Sequence, residues 1–585
     1  MIRSLEGRMG RNKNYAVLKR VIKYTGPYRT LLVLSLVTAF FSVLATTAFP
    51  LLTGMAVDAI TRGDGKAFFK AVAWMCASSC TAALMQYLMN RVNNSMAYGI
   101  SRDIREEAFE HLQHMKLSYV DSHPHGDIVS IIVNDADQVS DGLLMGFTQL
   151  FSGVLTILLT LIAMFAVNWI VALVVLLVTP VSLFTASFIA KRTFSLFYKQ
   201  SEKRGEQTSF INEMIAGASV VSAYGREDAN QRRFDEINGQ WAECSLLATF
   251  YSSLTNPVTR FVNSLVYTGV ALSGGISALM GMMSVGSLMS ILSYASQYAK
   301  PFNEITGVIT ELQNALASSA RIFSFLDEEE EEEDSNLEEL SVKDGSVSIE
   351  HVQFSYTKNR PLIKDLSLSV KPGMKVAIVG PTGSGKTTII NLLMRFYDPQ
   401  RGVIRIDGRD IASVQRTSLR KSFGMVLQDT WLKMGSIRDN IALGKPEASD
   451  DEIRRAAELS HIDTFISSLP AGYDEIVSDE SDGISVGERQ LISISRIMLS
   501  SPQMLILDEA TSSIDTRTEM LIQESFMRLM QGRTSFIVAH RLSTIRSADL
   551  ILVIKDGDVI ETGTHKKLME RNGFYATLYN SQFSS

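Results

Sequence analysis

Charge is missing from two long stretches of this 585-residue chain. No Asp, Glu, Lys or Arg occurs from Gly142 to Ala190, and none from Phe261 to Ala299. A membrane-crossing helix needs about 20 mostly apolar residues. Each stretch therefore predicts two spans, divided near Val167-Asn168-Trp169 in the first and near Gly281–Gly286 in the second. Two earlier spans are predicted at Leu31–Ala56 and Ala71–Leu88. Runs this long without charge exceed what the core of a water-soluble protein uses, so a soluble all-helical domain is excluded.

The segments after spans two and four are long, polar and helical in period, as at Ile104, Phe109, Leu112 and Met115. Each is broken once, at His123-Pro124-His125-Gly126 and at Ala216-Gly217-Ala218. The pattern predicts helices that continue the spans beyond the membrane, with a turn at each tip. The acidic run Asp327–Asp334 then ends the apolar half and reads as a solvated linker, because like charges repel. From Val347 onward β-type runs alternate with helical ones, which predicts a parallel sheet with helices on its faces. The expected divisions are an N-terminal segment (1–29), a six-span membrane domain (30–320), an acidic linker (321–344) and an α/β domain (345–585).

Charge adds orientation. Arg3, Arg8, Arg11, Lys13, Lys19, Arg20, Lys23 and Arg29 precede the first span. Arg91, Arg102, Arg105 and Lys116 follow the second, and Lys191, Arg192, Lys203 and Arg204 are among those after the fourth. The opposite connections are short, and only the first carries basic residues, at Arg62, Lys66 and Lys70. The positive-inside rule puts both termini in the cytoplasm. Met1–Lys23 is basic without an apolar core, so no cleavable signal peptide is expected. A net charge of −6 gives no reason to expect a nucleic-acid partner. Three cysteines, Cys76, Cys80 and Cys244, are too few for a disulfide framework or a four-cysteine metal site, and are expected to be buried.

The chemistry lies in the second half. The strand Val376–Val379 runs directly into Gly380-Pro381-Thr382-Gly383-Ser384-Gly385-Lys386-Thr387-Thr388, a full P-loop in its strand–loop–helix setting. Its glycines let successive N–H groups face phosphates, and the following helix adds its positive end. Lys386 is expected at the β- and γ-phosphates of ATP, and the Thr387 hydroxyl on Mg²⁺. A second apolar strand, Met504–Leu507, ends in Asp508 and Glu509. Asp508 suits the Mg²⁺ shell, and Glu509 suits orienting or deprotonating an attacking water.

With these motifs the whole chain resembles an ABC exporter half-transporter: a polytopic helical membrane domain of six spans, exporter type, fused to an α/β P-loop ABC nucleotide-binding domain. The resemblance implies roles for further residues. Tyr356 would stack on adenine. Gln428 would touch Mg²⁺ and sense the membrane domain. Ser512-Ser513-Ile514-Asp515 would form the loop between subunits, and His540 would contact the γ-phosphate. By the same likeness, His123–Asp127 and Ile215–Tyr224 lie near the turns that couple the two domains.

One motif departs from the family. The signature LSGGQ, which grips ATP held by the opposite subunit, reads here Ile484-Ser485-Val486-Gly487-Glu488. Ser485 and Gly487 are kept. Val486 brings a β-branched side chain where glycine is usual, and Glu488 places a negative charge near a polyphosphate. The preceding Asp479-Glu480-Ser481-Asp482 adds acid, and Leu491–Arg496 is also non-standard. The resemblance therefore implies one subunit of a heterodimer, whose partner would carry an intact signature and a substituted catalytic glutamate. A homodimer that tolerates these residues is the alternative.

The expected activity is ATP-driven export of an amphipathic, drug-like or lipid-like molecule across a bacterial plasma membrane. A peptide exporter, a lipid flippase and a non-pumping regulatory membrane protein are the alternatives. No N-terminal peptidase domain is read in the sequence. Spans three to six contain no charged residue to bind a charged substrate, and Met280, Met282, Met283 and Met289 suit either an adaptable apolar pocket or lipid-facing packing.

Overall fold

The computed structural model describes residues 15–583 apart from 358–360, 428–429, 479–482, 509–513 and 540–541; at a few helical positions, chiefly 178–192 and 303–306, it describes the backbone alone. The chain divides into two compact units. One holds the residues up to Met115 together with His123–Glu329, and the other holds Lys116–Ser122 with Glu330–Ser585.

The first unit is helical. Its elements are α1 (Arg29–Thr61), α2 (Gly65–His114), a helical segment from His125 that ends in α4 (Phe151–Val167), α5 (Trp169–Ala216), α6 (Glu227–Leu279) and α7 (Val285–Leu326); α3 (Leu117–Ser122) belongs to the second unit. Three of these segments, Arg29–Thr61, Gly65–His114 and His125–Val167, are long and apolar enough to cross a membrane among the described residues, and Ser264–Leu279 of α6 is a shorter apolar stretch. At 53 residues α6 is about 80 Å long, far more than the ~30 Å of a bilayer's hydrocarbon core. The helices thus run on past the apolar layer, as the long polar periodic segments predict. Starts are chemically defined where the chain reverses: Asn168 accepts from Ile170 N and Val171 N to open α5, and Ser284 accepts from Ser287 N to open α7.

At the end of α1 farthest from the N-terminus, Asp58 accepts bonds from Ser284 Oγ (2.6 Å) and from the backbone N–H of Gly286 (2.8 Å). A negative charge at the start of α7 is favourable against the helix dipole. The helices touch closely here, since a Cβ on Gly286 would lie 2.0 Å from the Gly54 carbonyl oxygen. Farther along the same pair, Tyr294 donates to the Thr47 carbonyl at 2.8 Å. At the other end of the unit, the π-turn Ile131–Asp135 carries buried Asp135, which accepts from Arg321 Nε at 2.8 Å and from Ser318 Oγ at 3.0 Å on α7. That hydrogen bond holds the Arg321 guanidinium above its ordinary pKa.

The cysteine expectation fails. Cys76 and Cys80 are exposed on α2 and Cys244 is half-buried. In a membrane-crossing helix an exposed apolar position faces lipid or another helix rather than water, so burial within one chain is not required there.

The second unit is built on a ten-stranded sheet. Its strands are β1 (Val347–Phe354), β2 (Ile363–Val370), β3 (Lys375–Val379), β4 (Arg401–Ile406), β5 (Arg409–Asp410), β6 (Phe423–Val426), β7 (Met504–Asp508), β8 (Thr534–Val538), β9 (Leu550–Lys555) and β10 (Asp558–Gly563). Their order is β5-β4-β1-β2-β10-β9-β3-β8-β7-β6. The sheet is mixed rather than parallel. β9, β3, β8, β7 and β6 are parallel, while β1 pairs antiparallel with β2 and β4, as β9 does with β10. Burial explains why the central strands read as unbroken apolar runs. Val376 and Ile378 of β3 join one core with Met504, Ile506 and Phe536, whereas Ala377 and Val379 join the other with Leu505, Leu507 and Ile537.

The acidic linker is shorter and less free than expected. Helix α7 continues to Leu326, so the first residues assigned to the linker are helical. Within the second unit, Glu331 pairs with Arg420 at 2.8 Å, and Asp334 accepts from the Arg416 backbone at 2.7 Å. Both arginines lie on helix α9 (Arg416–Lys421), where Arg416 is buried; α8 is the P-loop helix Lys386–Leu393. Opposite charge, not mutual repulsion, fixes this part of the run.

Candidate functional site

The parallel half of the sheet gathers its C-terminal strand ends on one edge, where ligands bind in such folds. Ile378 of β3 pairs with Val538 of β8, and Val538 pairs with Asp508 of β7. Beyond β3 the P-loop turns through Gly383 and Gly385, at φ +78° and +102°, a region that favours glycine, and enters α8 at Lys386. Gly380 is also forced by space, since a Cβ there would lie 2.2 Å from the Ile554 carbonyl oxygen.

Lys386 Nζ donates to the Gly380 and Pro381 carbonyls at 2.9 and 3.1 Å, so the ammonium is bent back over the loop. Burial pulls its pKa below the ordinary lysine range, and the Asp508 carboxylate opposes that shift. The Ser384 hydroxyl is buried and has no hydrogen-bond partner among the described residues. A buried orphan hydroxyl, a curled run of N–H groups and a half-buried ammonium together suit a polyphosphate. Thr387 is exposed at the start of α8, and Asp508 is nearly buried at the end of β7. One hydroxyl and one carboxylate are hard oxygen donors of the kind Mg²⁺ takes alongside phosphate oxygens. A cleft of about 130 Å³ beside the loop is lined by Gly380, Thr382 and Lys386 and by Tyr575 and Tyr579 of the C-terminal helix Phe574–Phe583.

Tyr356 is half exposed just beyond β1. Its ring packs edge-on against Phe354 and Tyr397, with centroids 4.9 and 5.0 Å away. Its hydroxyl donates to Thr388 Oγ1 at 3.3 Å and accepts from Asn391 Nδ2 at 3.2 Å, both on α8. The ring that would stack on a base is thereby tied to the helix that follows the phosphate loop. Tyr397, which the sequence reading missed, donates to Asp121 Oδ2 of α3 at 2.6 Å. Burial first, and then that carboxylate, push the Tyr397 phenol above its ordinary range. Residues 117–122 thus join the second unit, one turn before the His123–Asp127 segment singled out from the sequence.

The signature segment opens helix α10 (Val486–Ser500). Ser485 is its N-cap and accepts from Glu488 N at 3.3 Å, while Glu488 Oε2 accepts from Ser485 N (2.7 Å) and Ser485 Oγ (2.8 Å). This is a capping box, so the negative charge of Glu488 sits against a helix N-terminus rather than idle in solvent. The Ser-x-x-Glu spacing carried that signal in the sequence. Gly487 is fixed by packing, since a Cβ there would lie 2.5 Å from Thr518 Cγ2 and 3.0 Å from Ile514 Cγ2. Val486 is half exposed. Glu509, His540, Gln428 and Ser512-Ser513 lie outside the described residues; Asp515, the last of that loop, caps the helix α11 (Thr516–Leu529) by accepting from Arg517 N and Thr518 N.

Residues 32–302 match the family model for the ABC transporter transmembrane region, and residues 363–512 match the family model described as ABC transporter. Over 525 residues the chain is 43% identical to a fatty acid ABC transporter ATP-binding/permease protein of Mycobacterium bovis, covering 90% of this chain and 83% of that one. It is 33% identical over 575 residues to the provisionally named multidrug export ATP-binding/permease protein YgaD of Bacillus subtilis, covering 97% and 99%. Among solved structures, a bacterial Atm1-family ABC exporter with ATP bound superposes with a TM-score of 0.78 at 29% identity, covering 95% of this chain and 99% of that one. The protein belongs to the ABC transporter family: it is a fused half-transporter in which an exporter-type membrane domain and an ATPase that drives transport share one polypeptide.

Proposed function

We propose that this chain exports an amphipathic, drug-like or lipid-like molecule by alternating access, as one subunit of a heterodimer with one strong and one weak ATP site. The observation that carries the reading is the coexistence of an intact P-loop half, including Lys386, Thr387 and Asp508, with a substituted signature at Val486 and Glu488. Each ATP in the proposed dimer lies between the P-loop of one subunit and the signature of the other. The chain's own P-loop, Glu509 and His540 would then complete a hydrolytic site with the partner's intact signature. The names of the relatives, fatty acid and multidrug transporters, support an amphipathic cargo. The basic residues of the N-terminal segment and of the two long loops support a cytoplasmic N-terminus and ATPase in a bacterial plasma membrane.

In this reading Tyr356 holds the adenine and the P-loop N–H groups with Lys386 hold the phosphates. Mg²⁺, held by Thr387, Asp508 and Gln428, supplies neutralisation of phosphate charge when bound. Glu509 orients the water in line with the γ-phosphorus and takes its proton, and His540 donates to the γ-phosphate. Closure of the two ATPase domains would be passed on through the helical tips. Their exposed apolar residues Ile215, Val220 and Tyr224 support docking onto a partner surface.

A homodimer is the second reading, and the Glu488 capping box favours it: the substitution keeps the helix start intact, so it is structurally tolerated. Native mass and ATP turnover of the chain purified alone in lipid nanodiscs separate the two. An inactive or monomeric chain restored by a co-expressed second subunit is expected; a fully active dimer of identical chains would overturn the heterodimer. Within the heterodimer, Val486→Gly with Glu488→Gln is expected to raise nucleotide occupancy at the weak site. Glutamine preserves the capping box while removing the charge, so the change reads electrostatics and backbone freedom rather than unfolding. Unchanged occupancy, measured by labelled-nucleotide trapping, would mean these residues do not set the weakness.

A further inference from the structure

The charge-free stretch Phe261–Ala299 is bounded by Arg260 and Lys300. Read singly, each is the basic residue that commonly flanks a span and snorkels to the interface. Folding changes that reading. Helices α6 and α7 form an antiparallel pair that reverses at Met280–Ser284. The turn centres on residue 282, so the returning helix brings Lys300 back to within about 6 Å of the level of Arg260. Both line one cavity of about 690 Å³ in the membrane unit, together with Ser264, Tyr267 and Thr268 of α6 and Ser296 of α7. The spacing 260, 264, 267 and 268 places those residues on one face of α6, as 296 and 300 share one face of α7. Buried Val266 and Ala295 supply apolar wall. The volume falls within the ~300–1,000 Å³ of small-molecule sites. Neither cation has a hydrogen-bond or ion-pair partner among the described residues.

We infer that this cavity is a head-group site for a single-chain amphiphile whose head is anionic, with Arg260 and Lys300 as its counter-charges. Two cations facing one cavity at the margin of an apolar layer repel each other. An anion between them removes the repulsion and gains two charge-assisted hydrogen bonds. Ser264, Thr268, Ser296 and the Tyr267 hydroxyl offer further polar contacts, and the uncharged helices beyond lie along the path of an alkyl chain. The guanidinium presents a fork matched to a carboxylate, while the ammonium adds a point charge. The inference rests on the export of an amphipathic cargo proposed above and narrows it. It also changes the sequence expectation that spans three to six hold nothing for a charged substrate: the relevant cations stand at the span ends, not inside them.

The test uses the full-length transporter, with whatever second subunit it carries, in nanodiscs of zwitterionic lipid. Binding of tritiated palmitate is measured alone and in competition with hexadecylphosphocholine and hexadecyltrimethylammonium, three heads on one chain length. Palmitate is expected to bind roughly tenfold more tightly than the cationic probe. Arg260→Gln with Lys300→Gln should erase that preference, and Arg260→Lys or Lys300→Arg should retain it. Arg260→Glu with Lys300→Glu should reverse it toward the cationic probe, a gain of binding that a misfolded protein cannot imitate. Equal binding of all three heads by the unaltered protein, or an undiminished palmitate preference in the double glutamine variant, overturns the assignment and leaves amphiphile export standing. No binding of any probe overturns both.

Discussion

Glu509→Gln is expected to lower ATP turnover by about 10²–10⁴-fold, the range a positioned general base contributes, while ATP still binds. Glutamine has the size and shape of glutamate but cannot take the proton of the attacking water, so the loss falls on the chemical step. Binding is expected to survive because its determinants lie elsewhere: the P-loop N–H groups, Lys386 over the loop and Tyr356 tied to α8. The local fold is also expected to survive, since β7 is buried along its whole length and pairs with β8 through Asp508 and with β6 through Leu507. The measurement is single-turnover hydrolysis alongside equilibrium binding of labelled ATP. Retained turnover would remove Glu509 as the base. Loss of binding as well would mean that the carboxylate supports the nucleotide rather than the water. In the proposed heterodimer, this one substitution should silence nearly all hydrolysis, because the partner's own glutamate is the one expected to be substituted.

What the sequence reveals depends on whether the information is local. The P-loop is contiguous, and its glycines, lysine and threonine announce their roles within nine residues. Strand β7 is legible for the same reason, as an apolar run ending in carboxylates. Strand direction is not: alternation gives a period of two whichever way the neighbour runs, so the antiparallel β1, β2 and β4 read like the parallel strands. The supports of Tyr356 were hidden because Thr388, Asn391 and Tyr397 all lie more than 30 residues further along the chain. The acidic run shows how charge counting misleads when partners are distant, since Arg416 and Arg420 answer it from about 85 residues away. Glu488 is a different kind of miss. Its Ser-x-x-Glu spacing was visible, but comparison with the family signature drew attention to its charge and away from the helix it begins. Arg260 and Lys300 are legible singly as span ends; only the folded hairpin brings them to one cavity.

Lys386→Ala is expected to weaken ATP binding at this chain's own site by roughly 10–100-fold, the equivalent of losing one or two charge-assisted hydrogen bonds to phosphate. The half-buried ammonium shows why the effect should be large. Burial already pulls its pKa below the ordinary lysine range, which means the protein alone solvates the charge poorly. Two loop carbonyls and the nearby Asp508 only partly compensate. A triphosphate would supply the missing counter-charge, so binding should draw the lysine back toward its ordinary pKa and take up protons wherever the free enzyme's lysine is partly neutral. The affinity of the unaltered protein should therefore fall as pH rises through the lowered lysine pKa. In Lys386→Ala that pH dependence should vanish with the ammonium. Lys386→Arg keeps a charge but not its compact geometry, and should restore only part of the affinity. Isothermal titration with a non-hydrolysable ATP analogue in buffers of different ionisation enthalpy reads both the affinity and the proton uptake. An alanine variant that binds as tightly as the unaltered protein, with the same proton linkage, would show that the loop N–H groups hold the phosphates without the lysine.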